Sequence, residues 1–81
     1  MKIRKEVMKF ARCMERELRE NDYKGGWKHD TMDSLLKRLN QESEEIQTSI
    51  NRAHNYRLIV HECADVANFA MMIANVAENT K

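Results

Sequence analysis

Residues 57–78 read RLIVHECADVANFAMMIANVAE, and this stretch decides the fold. It contains neither proline nor glycine, the residues least compatible with a helix interior. Ile59, Val66, Ala70, Ile73 and Ala77 recur at helical spacing and give a main apolar stripe. Val60, Cys63, Ala64, Ala67, Phe69, Met71 and Met72 widen that stripe almost all round. A helix that is apolar on most faces is buried on most faces. Two other helices of one small chain could hardly cover it. The stretch therefore calls for an oligomer, in which third helices pack on each other or on a partner chain's helices.

Working outward, two more helices precede it. Ile3, Val7, Phe10, Met14 and Leu18 form an amphipathic stripe over about residues 2–20. Asn21 and Asp22 lead into Tyr23-Lys24-Gly25-Gly26-Trp27, the clearest break in the chain. A second helix spans about residues 30–51, with Asp30 or Thr31 as its N-cap. Its stripe is Met32, Leu35, Leu36, Leu39, Ile46 and Ile50. The polar run from Asn51 to Tyr56 reads as a turn or short link, and the third helix follows over about 57–78. The expectation is one all-α domain over residues 1–81, three helices assembling into a four-helix-bundle-like oligomer.

The bulk numbers agree and exclude several classes. The chain has 81 residues, no proline and only two glycines, with 33% charged and 42% hydrophobic residues. A domain this size buries a modest core. Lys and Arg number 14 against 13 Asp and Glu, so the net charge of +1 gives no argument for nucleic-acid binding. Cys13 and Cys63 are too few for a disulfide framework and read as core residues in a reducing cytoplasm. The N-terminal MKIRKEVMKF threads charges through its apolar residues, unlike a signal peptide. The apolar run from Val66 to Ala77 contains Asn68 and Asn75 and is too short to span a bilayer, so no membrane partner is expected.

Chemistry concentrates in two acidic pairs at i,i+3 spacing, Glu42 with Glu45 and Glu62 with Asp65. Each pair lies on the edge of an apolar stripe. If the second and third helices run antiparallel about a turn near residue 54, Glu45 and Glu62 lie nine and eight residues from it. Glu42 and Asp65 lie twelve and eleven away, so the pairs meet to within about one helical turn, ~5 Å. Four converging carboxylates need a cation, and hard divalent ions prefer oxygen ligands. The pattern points to Mg²⁺, with Mn²⁺ as the alternative, and hence to phosphate chemistry. Ordinary solvated acidic faces are the plainer reading.

From Gly26 to Asn75 the chain resembles the MazG-like all-α nucleoside triphosphate pyrophosphohydrolases, particularly short phage-type members. The family motif EExxE, spacer, ExxD is matched by Gln41-Glu42-Ser43-Glu44-Glu45, sixteen residues, then Glu62-Cys63-Ala64-Asp65. The run from Val66 to Ala74 and the segment Gly26-Trp27-Lys28 ahead of Leu35-Leu36-Lys37-Arg38-Leu39 are also similar. Gln41 replaces the first Glu of the motif. The resemblance implies a MazG-type architecture and a cytoplasmic protein, bacterial or phage-encoded. It implies Mg²⁺-dependent hydrolysis of an NTP or dNTP to monophosphate and pyrophosphate. Glu42, Glu45, Glu62 and Asp65 are then the metal ligands. Glu42 or Glu45 orients or deprotonates the attacking water, and no Ser, Cys or His nucleophile is required.

Arg38, Lys28, Trp27 and Asn68 are the candidate substrate contacts. Arg38 sits four residues before Glu42 on the same helix edge. Trp27 either stacks on a base or caps the bundle. Asn68, three residues after Asp65, needs a partner in so apolar a helix, either a ligand or another helix. Asn75 has the same need but is placed for a structural role. His29, His54 and His61 lack metal-ligand spacing to one another or to a cysteine. The other functional class is a non-catalytic helical module that binds nucleotide or protein. A homo-oligomer, dimer or tetramer, is expected either way.

Overall fold

The computed structural model describes residues 1–52 and 55–80. Among these the chain is all-helical, with no strand. Helix α1 is Lys5–Glu20, α2 is Met32–Arg52 and α3 is Tyr56–Glu78, with a short 3-10 turn at Asp22–Lys24.

Helix α1 begins at Lys5 rather than near residue 2. Arg4 stands at its N-cap with no side-chain cap bond, and Ile3 is 49% exposed. Lys2, Arg4 and Lys5 put positive charge at the positive end of the helix dipole, and Ile3 finds nothing to pack on. The start of α2 is decided by Thr31, whose Oγ1 accepts the Ser34 N–H at 3.1 Å. Asn55 caps α3, its Oδ1 accepting the N–H groups of Arg57 at 3.1 Å and Leu58 at 3.2 Å. The connection between α2 and α3 is shorter than the polar run suggested, and the turn expected near residue 54 lies outside the described residues. Gly25 has φ 89°, a conformation that L side chains rarely adopt, and it turns the chain toward Trp27.

Helix α3 is the central element. Helices α1 and α2 both pack on it and not on each other. Two cross-links order α2 antiparallel to α3, Ser49 with Glu62 and Arg38 with Phe69, and Trp27, ahead of α2, meets Asn75 in the same order. Helix α1 is fixed from the other side, where the Asn68 Nδ2 donates to the Met14 carbonyl at 3.0 Å.

The core is small. Leu35, Ala64 and Phe69 are its buried apolar residues among those described. Within one chain α1 and α2 leave much of α3 uncovered, as its apolar surround led one to expect. Only Glu62, Ala64, Asn68 and Phe69 are buried along it, while Val60, Ala70, Ala74 and Ala77 are exposed. The apolar stripe of α2 is likewise incomplete, with Met32, Leu36 and Ile50 exposed. No helix among the described residues is long and apolar enough to cross a membrane.

Candidate functional site

Antiparallel pairing of α2 and α3 brings their acidic edges face to face. A cleft of about 510 Å³ opens there, bounded by α1, the Asp22–Trp27 connection, α2 and α3. Glu42 and Asp65 line it, and so do Glu17, Arg38, Lys24, Trp27 and Asn68.

The four sequence-predicted acids play unequal parts. Glu42 is half-buried and Glu45 exposed. Burial is the main cause that raises the Glu42 carboxyl above its ordinary value, followed by Glu45 beside it and the charge of Asp65, with Arg38 opposing. Asp65 is raised mainly by burial, and the charges of Glu45 and Glu62 add to it while His61 opposes. The four carboxylates therefore share one electrostatic environment. Glu62 lies deepest, 8% exposed, and the Ser49 hydroxyl donates to it from 2.8 Å of both its oxygens.

The group whose ligand atoms come closest is a different one. One atom each of Glu17, His61 and Asp65 lie within 4.8 Å of one another, near enough to hold a metal ion together. The four predicted acids do not form a group that tight among the described residues. His61 Nδ1 lies 2.6 Å from Glu17 Oε1, and its Nε2 lies 3.6 Å from Asp65 Oδ2. Glu17 is 8% exposed, and burial raises its carboxyl against the opposing pull of His61. The sequence carried part of this signal. His61 and Asp65 are four apart and share a helix face, although His61 has no metal-ligand spacing to another His or to a Cys. Glu17 carried no signal at all, since nothing in the order of residues says that α1 crosses α3 at this height.

The candidate substrate contacts divide. The Arg38 guanidinium lies over the Phe69 ring, 4.6 Å from its centroid, and its charge acts on Glu42 one turn along α2. Trp27 is half-buried, and its Nε1 donates to Asn75 Oδ1 at 3.1 Å, so it ties the connection to the end of α3. Asn75 has the structural role expected of it. Lys28 is exposed and takes no place in the cleft wall, where Lys24 stands instead. A lysine is held on a helix or turn by its neighbours, and Lys24 lies over the Tyr23 ring at 5.7 Å. Asn68 is 4% exposed, and although its Nδ2 bonds Met14, its Oδ1 is buried with no partner. Met72, expected at an interface, lines the cleft.

No protein-family model, curated protein or solved structure matches the chain. The site's chemistry rests on its own geometry.

Proposed function

We propose that the chain is a Mg²⁺-dependent nucleoside triphosphate pyrophosphohydrolase of the MazG-like kind, working as a homo-oligomer. The observation that carries this reading is the cleft itself: Glu42 and Asp65 share its wall with Arg38 and Lys24. A polyphosphate held by a divalent ion needs both signs of charge at once, carboxylates for the metal and cations for the phosphate oxygens.

The acids on and beside the cleft support the choice of ion. Burial is the main cause that raises Glu42 and Asp65, and neighbouring carboxylates add to it. The buried Oδ1 of Asn68 adds an uncommitted oxygen on the same cleft. Glu42, Glu45, Glu62 and Asp65 are the residues that would hold Mg²⁺, or Mn²⁺ in its place. Bound there, the ion would neutralise charge on the phosphate oxygens as the anhydride breaks.

The chain's own side chains supply the rest. Arg38, exposed and resting over Phe69, would offer its guanidinium N–H groups to phosphate oxygens. Lys24 adds a second cation from the connection. Glu42 or Glu45 would orient the attacking water or accept its proton. Trp27, half-buried beside the cleft, offers an aromatic wall to a base while its indole N–H stays bound to Asn75.

The oligomer is supported by surface arithmetic. The chain exposes 6799 Å². A compact monomer of 9.6 kDa exposes about 5,100 Å². The excess is more than a standard interface buries per partner, roughly 800 Å². Exposed Met32, Leu36 and Ile50 on α2, with Ala70, Ala74 and Ala77 on α3, are the apolar residues a second copy would cover.

Incubation with each NTP and dNTP plus Mg²⁺, with pyrophosphate as the readout, tests the function. Turnover is expected, and Asp65→Asn should abolish it. Nucleotide binding without turnover would mark the non-catalytic module instead.

A further inference from the structure

We infer that Glu17, His61 and Asp65 form a second cation site, selective for a divalent transition ion, which shares Asp65 with the carboxylate cleft. The three come from two helices. His61 and Asp65 lie one turn apart on α3, and Glu17 reaches them from α1. Their ligand atoms lie within 4.8 Å of one another, a spread that metal–ligand bonds of about 2.0–2.2 Å can span.

Three observations go beyond mere proximity. Glu17 is buried at 8% exposure in a domain with very little core. A carboxylate out of water is costly unless a cation compensates it. His61 is the only basic group paired with it among the described residues, and it is shared with Asp65. The site also has an unpartnered acceptor beside it. Asn68 stands three residues after Asp65, 4% exposed, its Nδ2 spent on Met14 and its Oδ1 without a donor. It belongs to the same cleft wall as Glu17 and Asp65. Finally, the His61 side chain is 46% exposed, so an ion has a route in and room for water ligands.

The donor set decides the class of ion. Mg²⁺ takes oxygen ligands and keeps much of its water. An imidazole nitrogen with two carboxylates suits Mn²⁺, Co²⁺ or Zn²⁺, with Mn²⁺ binding more weakly than Co²⁺. The site does not depend on the pyrophosphohydrolase reading, and its test needs no nucleotide.

Zn²⁺ is titrated into the full chain carrying Cys13→Ser and Cys63→Ser, in excess Mg²⁺. Calorimetry and the ¹⁵N resonances of the His61 ring are the readouts. One equivalent of Zn²⁺ is expected to bind and to shift a His61 ring nitrogen. His61→Ala should weaken binding at least about tenfold, since even the partners of a ligand cost that much. Glu42→Gln should leave the affinity unchanged. The ring resonance is read without altering the site, so a misfolded variant does not decide the matter. An unmoved His61 resonance, or Zn²⁺ bound equally well by His61→Ala, would overturn the site. So would loss of Zn²⁺ in Glu42→Gln, which would place the ion among the cleft carboxylates alone.

Discussion

Ser49 gives its only proton to Glu62, and both residues are buried, at 5% and 8% exposure. Removing that donor leaves a desolvated carboxylate unsatisfied. Ser49→Ala should therefore cost about 1–3 kcal/mol in urea denaturation, more than a surface serine would. A change near zero would mean that Glu62 finds water instead. Arg38 makes the second prediction at this scale. On the proposed function its loss removes a charged donor to phosphate, worth about 1.5–3 kcal/mol, so Arg38→Ala should raise KM for the triphosphate roughly tenfold or more. Arg38→Lys should recover only part of it, because an ammonium lacks the planar, bidentate fork of a guanidinium. The acids at i,i+3 were legible because spacing on a helix fixes a face. Their depth was not. Glu62 is buried and Glu45 exposed because α3 is the central helix and α2 a flanking one, and spacing is silent about that.

At the scale of elements, the helices follow from their stripes and caps. Asn55 caps α3 with two accepted N–H groups. Asn55→Ala should cost about 0.5–2 kcal/mol, measurable as a lower thermal midpoint. The apolar stripes on all three helices told that each has a buried side. They could not tell which helix it meets, and so α1 on α3, with Glu17 beside His61, came only with the fold. The connection was likewise legible as a break at Gly25-Gly26 but not as a wall of the cleft. Its anchor is the bond between Trp27 and Asn75, residues far apart in sequence.

At the scale of the whole molecule, charge and surface dominate. Glu17, Glu42 and Asp65 all hold their protons more tightly when folded than at the ordinary values of 4.5 for Glu and 3.8 for Asp. Their contribution to stability is then full below those values and is lost as pH rises through the higher folded ones. A divalent cation reverses this, because it binds only the deprotonated carboxylates. The gain in thermal midpoint from saturating Mg²⁺ should accordingly be larger at about pH 7.5 than at about pH 5. An equal gain at both would break the link between the acids and the ion. The uncovered apolar residues of α2 and α3 predict self-association. Leu36, 47% exposed, is a test point: Leu36→Glu should convert an oligomer to a monomer in sedimentation. Wild-type protein that sediments as a monomer would contradict the argument from surface area.

The central claim is that this cleft splits a nucleoside triphosphate between its α and β phosphates. Phosphorus NMR of a dNTP incubated with the protein and Mg²⁺ reads the broken bond directly. The account predicts pyrophosphate and nucleoside monophosphate in equal amounts, absent in Asp65→Asn. Orthophosphate with nucleoside diphosphate, or an intact triphosphate, would contradict it.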